Sequence, residues 1–212
     1  DRAARRSLAG IRQYDGRPDE AFDTLRAGIG GSPDEDFADW LFIGQQEYKR
    51  SKDGPWVEYR RESVVYHPSD PSVDEAAWVR SRLAAADEAV DEALRLRPDS
   101  LDALALATIV RFKQGRLVDA EAAGRRLCEV HGADDAANCG PLAAVLDSGG
   151  DPAGALAVWE EVAARSGQPN LASNLIMTEV NAVRNKTGDS IESFPVRADR
   201  LHALKRLTAF SP

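Results

Sequence analysis

Three times in this chain a glycine is followed, five residues on, by an alanine that opens an apolar helical stretch. The three are Gly16–Ala21 in DGRPDEAFDTL, Gly115–Ala120 in QGRLVDAEAAG and Gly150–Ala155 in GGDPAGALAVW. The last two glycines stand 35 residues apart (150 − 115) and the first two 99 apart (115 − 16), close to three periods of 33. A recurrence in the thirties is the signature of stacked helix–turn–helix units, each of which buries its apolar face against its neighbours.

Punctuation along the chain agrees with that reading. Pro cannot continue a helix interior and biases the residue before it away from helical angles. Pro33 and Pro68 lie 35 residues apart (68 − 33), and Pro98 closes the run ALRLRPDS. Gly115, Gly132, Gly149, Gly150, Gly167 and Gly188 supply further stops. The spacing predicts helices near 2–14, 17–29, 36–50, 55–66, 73–97, 101–114, 116–131, 135–147, 152–165, 169–186 and 197–208, the last as a C-terminal capping helix. Ser72, with Glu75 three residues on, reads as a capping box for the long helix from Val73. No stretch sustains the period-2 alternation of a half-buried strand, so no sheet is expected.

At this level of detail the residues match a known family. ADWLFIGQQEY places Trp40, Ile43 and Gly44 at the spacing of a first-helix signature, with Pro68 at the expected end. AAADEAVDEALRLRP supplies Ala86, Ala93 and Pro98, GRLVDAEAAGRRL supplies Ala120 and Leu127, and GDPAGALAVWEEV supplies Ala155, Trp159 and Val162. From Ala86 to Ala120 to Ala155 the steps are 34 and 35. The chain therefore resembles tetratricopeptide repeat proteins over Arg2 to about Met177. The resemblance implies an all-α, right-handed solenoid of five to six helix–turn–helix units forming one superhelical domain over 1–212. It also makes Phe22, Trp40 and Trp159 core residues, the alanines letting helices approach and the aromatics filling the gaps between units. The departures lie in an irregular region at about 51–83 and after 186. Trp56 stands where the second helix of unit two should carry a small residue, only 30 residues before Ala86 (86 − 56), so a register break falls there.

Composition narrows the function. A net charge of −8 argues against nucleic acid as the main partner, because affinity there comes mainly from neutralising phosphates. No apolar run approaches the length that spans a bilayer. Arg outnumbers Lys 22 to 5, which reads as the codon bias of a GC-rich bacterial genome. Cys128 and His131 look like half a metal site, but no second pair stands at ligand spacing, so no metal is expected and Cys128 and Cys139 read as small buried hydrophobes. Whether the two cysteines bridge is left open, and with it the compartment, bacterial cytoplasm or periplasm. The chain starts at Asp1 without Met, so a targeting segment upstream is an open alternative.

No catalytic set stands at a specific spacing. His67, His131 and His202 are far apart, and neither a phosphate loop nor a G-x-S-x-G elbow occurs. The expectation is a protein- or peptide-binding scaffold without enzymatic activity or cofactor; the alternative makes the repeats an accessory domain of a larger enzyme or of a peptide-sensing regulator. Two features point to where binding would occur. Asn170, Asn174, Thr178, Asn181 and Asn185 share one face of the helix near 169–186, and an Asn amide offers both a donor and an acceptor to an extended backbone. The segment from Tyr48 to His67, YKRSKDGPWVEYRRESVVYH, concentrates aromatics and cations, and Trp56, Tyr59, Arg60 and Arg61 in it form a second candidate surface. The family's basic and Asn clamp on a terminal carboxylate is not expected, because the first-helix faces of the 101–114 and 135–147 units carry Ala105, Ile109 and Ala144 instead.

Overall fold

A computed structural model of the chain describes residues 2–59, 63–132 and 136–165. The chain divides into two compact units between Gly115 and Arg116. The first holds α1 (Arg2–Tyr14), α2 (Pro18–Arg26), α3 (Pro33–Asp53), β1 (Val57–Tyr59), β2 (Val64–Tyr66), α4 (Glu75–Leu96) and α5 (Leu101–Lys113). The second holds α6 (Leu117–His131), α7 (Ala136–Ser148) and α8 (Pro152–Arg165). The described residues are thus mostly helical, as expected, and no helix among them is long and apolar enough to cross a membrane. The helices expected near 169–186 and 197–208 lie outside the described residues.

The sequence punctuation accounts for most boundaries. Pro18, Pro33 and Pro152 each open a helix at its first position, where the missing N–H costs nothing. Gly16, Gly115 and Gly150 all sit in three-residue turns between helices, at φ 76°, 76° and 86°. Only glycine adopts that left-handed backbone without strain. The start of α4 differs from expectation. Asp74 caps it, accepting from the Ala77 N–H at 2.9 Å, while the Ser72 N–H is held by Asp70. The helix therefore begins at Glu75, two residues later than the capping box implied.

The larger correction falls at 55–66, where a helix was expected and an antiparallel hairpin stands. Its register pairs Val57 with Tyr66, Glu58 with Val65 and Tyr59 with Val64, and the His67 N–H donates to the Trp56 carbonyl at 2.8 Å. The physical reasons are local. Gly54 leaves α3 at φ 80°, Pro55 follows it, and five of the six strand residues, Val57, Tyr59, Val64, Val65 and Tyr66, are β-branched or aromatic. Strands of three residues are too short to display an alternation.

The hairpin also explains the register break. Between the Gly16 and Gly115 turns stand α2, α3, α4 and α5, so the 99 residues hold four helices and not the six that three helix pairs would supply. The excess is the connection, residues 54–74, together with helices of 21 and 22 residues. Trp56 belongs to the connection. Ala86 of α4 is fully buried and faces Gly44 of α3. A Cβ built on Gly44 would meet Val90 Cγ2 at 3.1 Å, Leu106 Cδ2 at 3.3 Å and the Ala86 carbonyl at 3.4 Å.

In the first unit, Ala9, Ala21, Phe22, Leu25, Ile43 and Ala89 form one buried cluster, with the half-buried Trp40 against it. Trp40 also packs against a second cluster of Phe37, Ala93 and Ala103. In the second unit, Ala120, Leu127, Leu142, Ala155, Trp159 and Val162 are buried, and the tip of the Trp159 ring lies where a Cβ on Gly140 would be only 3.2 Å away. The core roles expected of Ala120, Ala155, Phe22 and Trp159 are met. Cys128 of α6 and Cys139 of α7 are joined by a disulfide, with Cα atoms 4.9 Å apart.

Candidate binding site

Helix α3 outlasts α1 by two turns, and this mismatch shapes the surface of the first unit. Asp39, Phe42, Gln46, Lys49 and Asp53 follow one another at steps of three and four along α3, so they share a face. On α1, Arg6, Gly10 and Gln13 do the same. Cross-pairs close the seam: Arg6 Nε donates to Asp39 Oδ1 at 2.7 Å, and Gln13 Nε2 donates to Gln46 Oε1 at 2.8 Å. Between these polar rungs lies a hollow of about 290 Å³ lined mainly by Ala9, Gly10, Leu25, Ala38 and Phe42. A Cβ on Gly10 would touch nothing within 4 Å.

Past the Gln13–Gln46 rung, α3 continues alone and a chamber of about 300 Å³ opens. The α1–α2 turn supplies Gly16, Pro18 and Asp19, the last turns of α3 supply Lys49, Arg50 and Asp53, and α4 supplies Trp78. The hairpin forms the far wall through Val57, Glu58 and His67. His67 Nε2 lies 2.9 Å from Glu58 Oε2. The Glu58 carboxylate rests on Gly16 so closely that a Cβ there would fall 2.5 Å from Oε1. Glycine at 16 therefore serves both the turn and the seating of the hairpin.

Behind the chamber sits a charge cluster. Glu47 is only 2% exposed, and Arg50 and Arg82 each donate to it from Nη1, at 3.3 and 3.2 Å. The same two Nη1 atoms reach Asp19 Oδ1 at 2.9 and 3.1 Å. Both guanidinium groups lie over the Trp78 ring, at 5.2 and 4.9 Å from its centroid, within cation–π range. Burial holds the Glu47 carboxyl above the usual carboxylate range, outweighing the attraction of Arg50 and Arg82. On the exposed Asp19, partial burial pushes the same way, but the hydrogen bonds and charges of Arg50 and Arg82 outweigh it and hold that carboxyl below its usual value.

Of the residues expected to bind, Trp56 is half-buried just before β1 and Tyr59 ends β1. Arg60 and Arg61 lie outside the described residues, as do Asn170, Asn174, Thr178, Asn181 and Asn185. Arg50 and Lys49, part of the aromatic-basic segment, line the chamber. Glu47, Asp19, Arg82 and Trp78 were not anticipated. Glu47 left one signal: it lies three and four residues after Gly44 and Ile43, on the buried face of its helix. Among the described residues, no group of three or more His, Cys, Asp or Glu side chains is placed to hold a metal ion. Comparison of the chain with protein-family models, with curated proteins and with solved structures finds no match.

Proposed function

We propose that the chain is a non-catalytic protein- or peptide-binding scaffold. Its successive helices are read as tetratricopeptide-like units of a right-handed solenoid, and the faces of the first helices receive the partner. The observation that carries this reading is the seam between α1 and α3, the first helices of the first two pairs. Its polar rungs are spaced by the repeat itself, 33 residues in each case (39 − 6 and 46 − 13), and an apolar hollow stands open between them. The close approach of Gly44 to Ala86 and Val90 supports the same register. An extended peptide fits such a seam because the Gln13 and Gln46 amides can exchange their mutual hydrogen bond for a backbone N–H and C=O. A small apolar side chain would then fill the space above Gly10. The Asn170 to Asn185 ladder is proposed as a further contact face of the same kind.

The test uses the open space at Gly10. In Gly10→Leu the new Cβ meets nothing within 4 Å and the side chain enters the hollow, and leaving glycine behind favours the helix by roughly 1 kcal/mol. Peptides selected from a random displayed library on the wild-type chain should bind Gly10→Leu at least about tenfold more weakly, a loss of roughly 1.4 kcal/mol. The melting temperature should not fall. Selected peptides that bind both proteins equally would remove the seam as the binding face.

A further inference from the structure

Arg50 is held by one end only. Its side chain is 14% exposed, and every hydrogen bond it donates among the described residues leaves from Nη1, toward Asp19 and Glu47. Its guanidinium carbon is stacked over Trp78 and Phe22 at 5.2 and 5.8 Å. A guanidinium carries five N–H donors in a rigid fork. The Nε–Nη2 edge is thus fixed in orientation and keeps three donors for something else. That edge matches a carboxylate, which accepts two parallel bonds from it. Arg50 also lines the chamber closed by the hairpin.

The rest of the wall rules out a simple anion. Asp19, Asp53 and Glu58 line the same chamber as Lys49 and Arg50, with His67 beside Glu58. A purely anionic guest meets three carboxylates, and a purely cationic one meets two cations. A guest with both charges a few ångströms apart satisfies both sides. Asp53 and Glu58 already have partners within the protein, but a carboxylate offers about four lone-pair sites and can take an ammonium as well. The volume, about 300 Å³, stands at the lower end of small-molecule sites, which span about 300–1,000 Å³.

We infer that this chamber is a binding site for a small zwitterion of the α-amino carboxylate type. Arg50 takes the carboxylate through Nε and Nη2, and Asp53 and Glu58 take the ammonium. The half-buried Trp78 gives the guest's side chain an apolar floor. The inference stands on the chamber alone. It requires neither that the helices be repeat units nor that the α1–α3 seam bind peptide.

Titration calorimetry on the full chain tests it, with glycine, alanine, leucine, glutamate and lysine as free L-amino acids and alanylalanine as a zwitterionic dipeptide. N-acetyl-leucine and leucinamide each lack one of the two charges. At least one zwitterion should bind, and blocking either end should weaken binding about tenfold or more, the usual cost of a lost charged hydrogen bond. Binding by free amino acids or by alanylalanine alone sustains the zwitterion and identifies its source as monomer or short peptide. Arg50→Lys keeps the charge but loses the fork, and should lose binding by about tenfold or more. Glu58→Gln, on the hairpin and outside the Glu47 cluster, keeps the side chain that rests on Gly16 but loses its charge, and should weaken binding in protein whose far-UV circular dichroism is unchanged, which keeps the test decisive if Arg50→Lys misfolds. Gly10→Leu should leave amino-acid binding unchanged, which separates this site from the peptide seam. The inference is overturned if no zwitterion binds folded protein at millimolar concentration, or if the blocked forms bind as tightly as their parent.

Discussion

Reduction of the Cys128–Cys139 bond should weaken the second unit by an amount that the loop itself fixes. The bond ties α6 to α7 across a sequence separation of 11. In the chain-entropy account, a cross-link removes about 2.1 + 1.5R ln n cal/mol/K from the unfolded ensemble, which for this loop comes to about 3 kcal/mol at 25 °C. Packing adds little to that figure. Cys139 is fully buried, and a reduced thiol there still fills its space as a small hydrophobe. For a unit of this size, about 3 kcal/mol corresponds to a melting-temperature loss of about 12–24 °C. Thermal melts followed by far-UV circular dichroism, with and without a phosphine reductant, should show that loss in one transition and leave the first unit's transition in place. Cys128→Ala/Cys139→Ala should reproduce it without reductant. Coincident melts, or two titratable thiols in the native protein, would overturn this prediction. Because such bonds persist in oxidising surroundings, protein made in a reducing cytosol should carry the lower-melting form.

Two other perturbations test the packing and the charge cluster. Leu at position 44 or 155 should overpack a helix crossing and cost roughly 1–3 kcal/mol, or more at Gly44 where the neighbours already stand at 3.1–3.4 Å from a Cβ; an unchanged denaturation midpoint in either variant would deny the close approach. Because the folded Glu47 carboxyl binds its proton more tightly than the unfolded one, stability should fall as pH rises through the window above 4.5. Glu47→Gln should flatten that slope, while the stabilisation from Asp19, lost only as pH falls below 3.8 through its lowered value, should remain.

The helices were legible because their ends are written in residues with one structural use. Gly16, Gly115 and Gly150 turn the chain with positive φ, whereas Pro33, read as a stop, opens α3 at its first position. The seam was half legible. Arg6 and Asp39, like Gln13 and Gln46, stand 33 residues apart, a spacing in the range of the glycine recurrence, but no local pattern singles these residues out as partners. The cluster of Glu47, Arg50, Asp19 and Arg82 was not legible, because Arg82 and Asp19 are 63 residues apart and no local pattern links them.

The hairpin escaped the sequence reading for a different reason, and its placement explains both the failed arithmetic and the chamber. It is inserted between the two helices of one pair, where α4 still packs on α3 and on α5. Lengthening such a connection is thermodynamically mild, since closure cost grows only logarithmically with loop length. The packing of α4 on α3 and α5 therefore does not exclude it. What the insertion adds is not packing but a wall. Glu58 seats it on Gly16 of the neighbouring turn, and the end of α3 that projects beyond α1 becomes enclosed instead of solvated. Removing residues 56–67 and joining the ends with a short Gly-Ser link should leave the helical content and the α3–α4 packing intact. It should abolish any amino-acid binding in the chamber while sparing peptide binding at the Gly10 hollow. Loss of both together, in protein that still melts cooperatively, would show that the hairpin supports the helices themselves and that the division drawn here between packing and site is wrong.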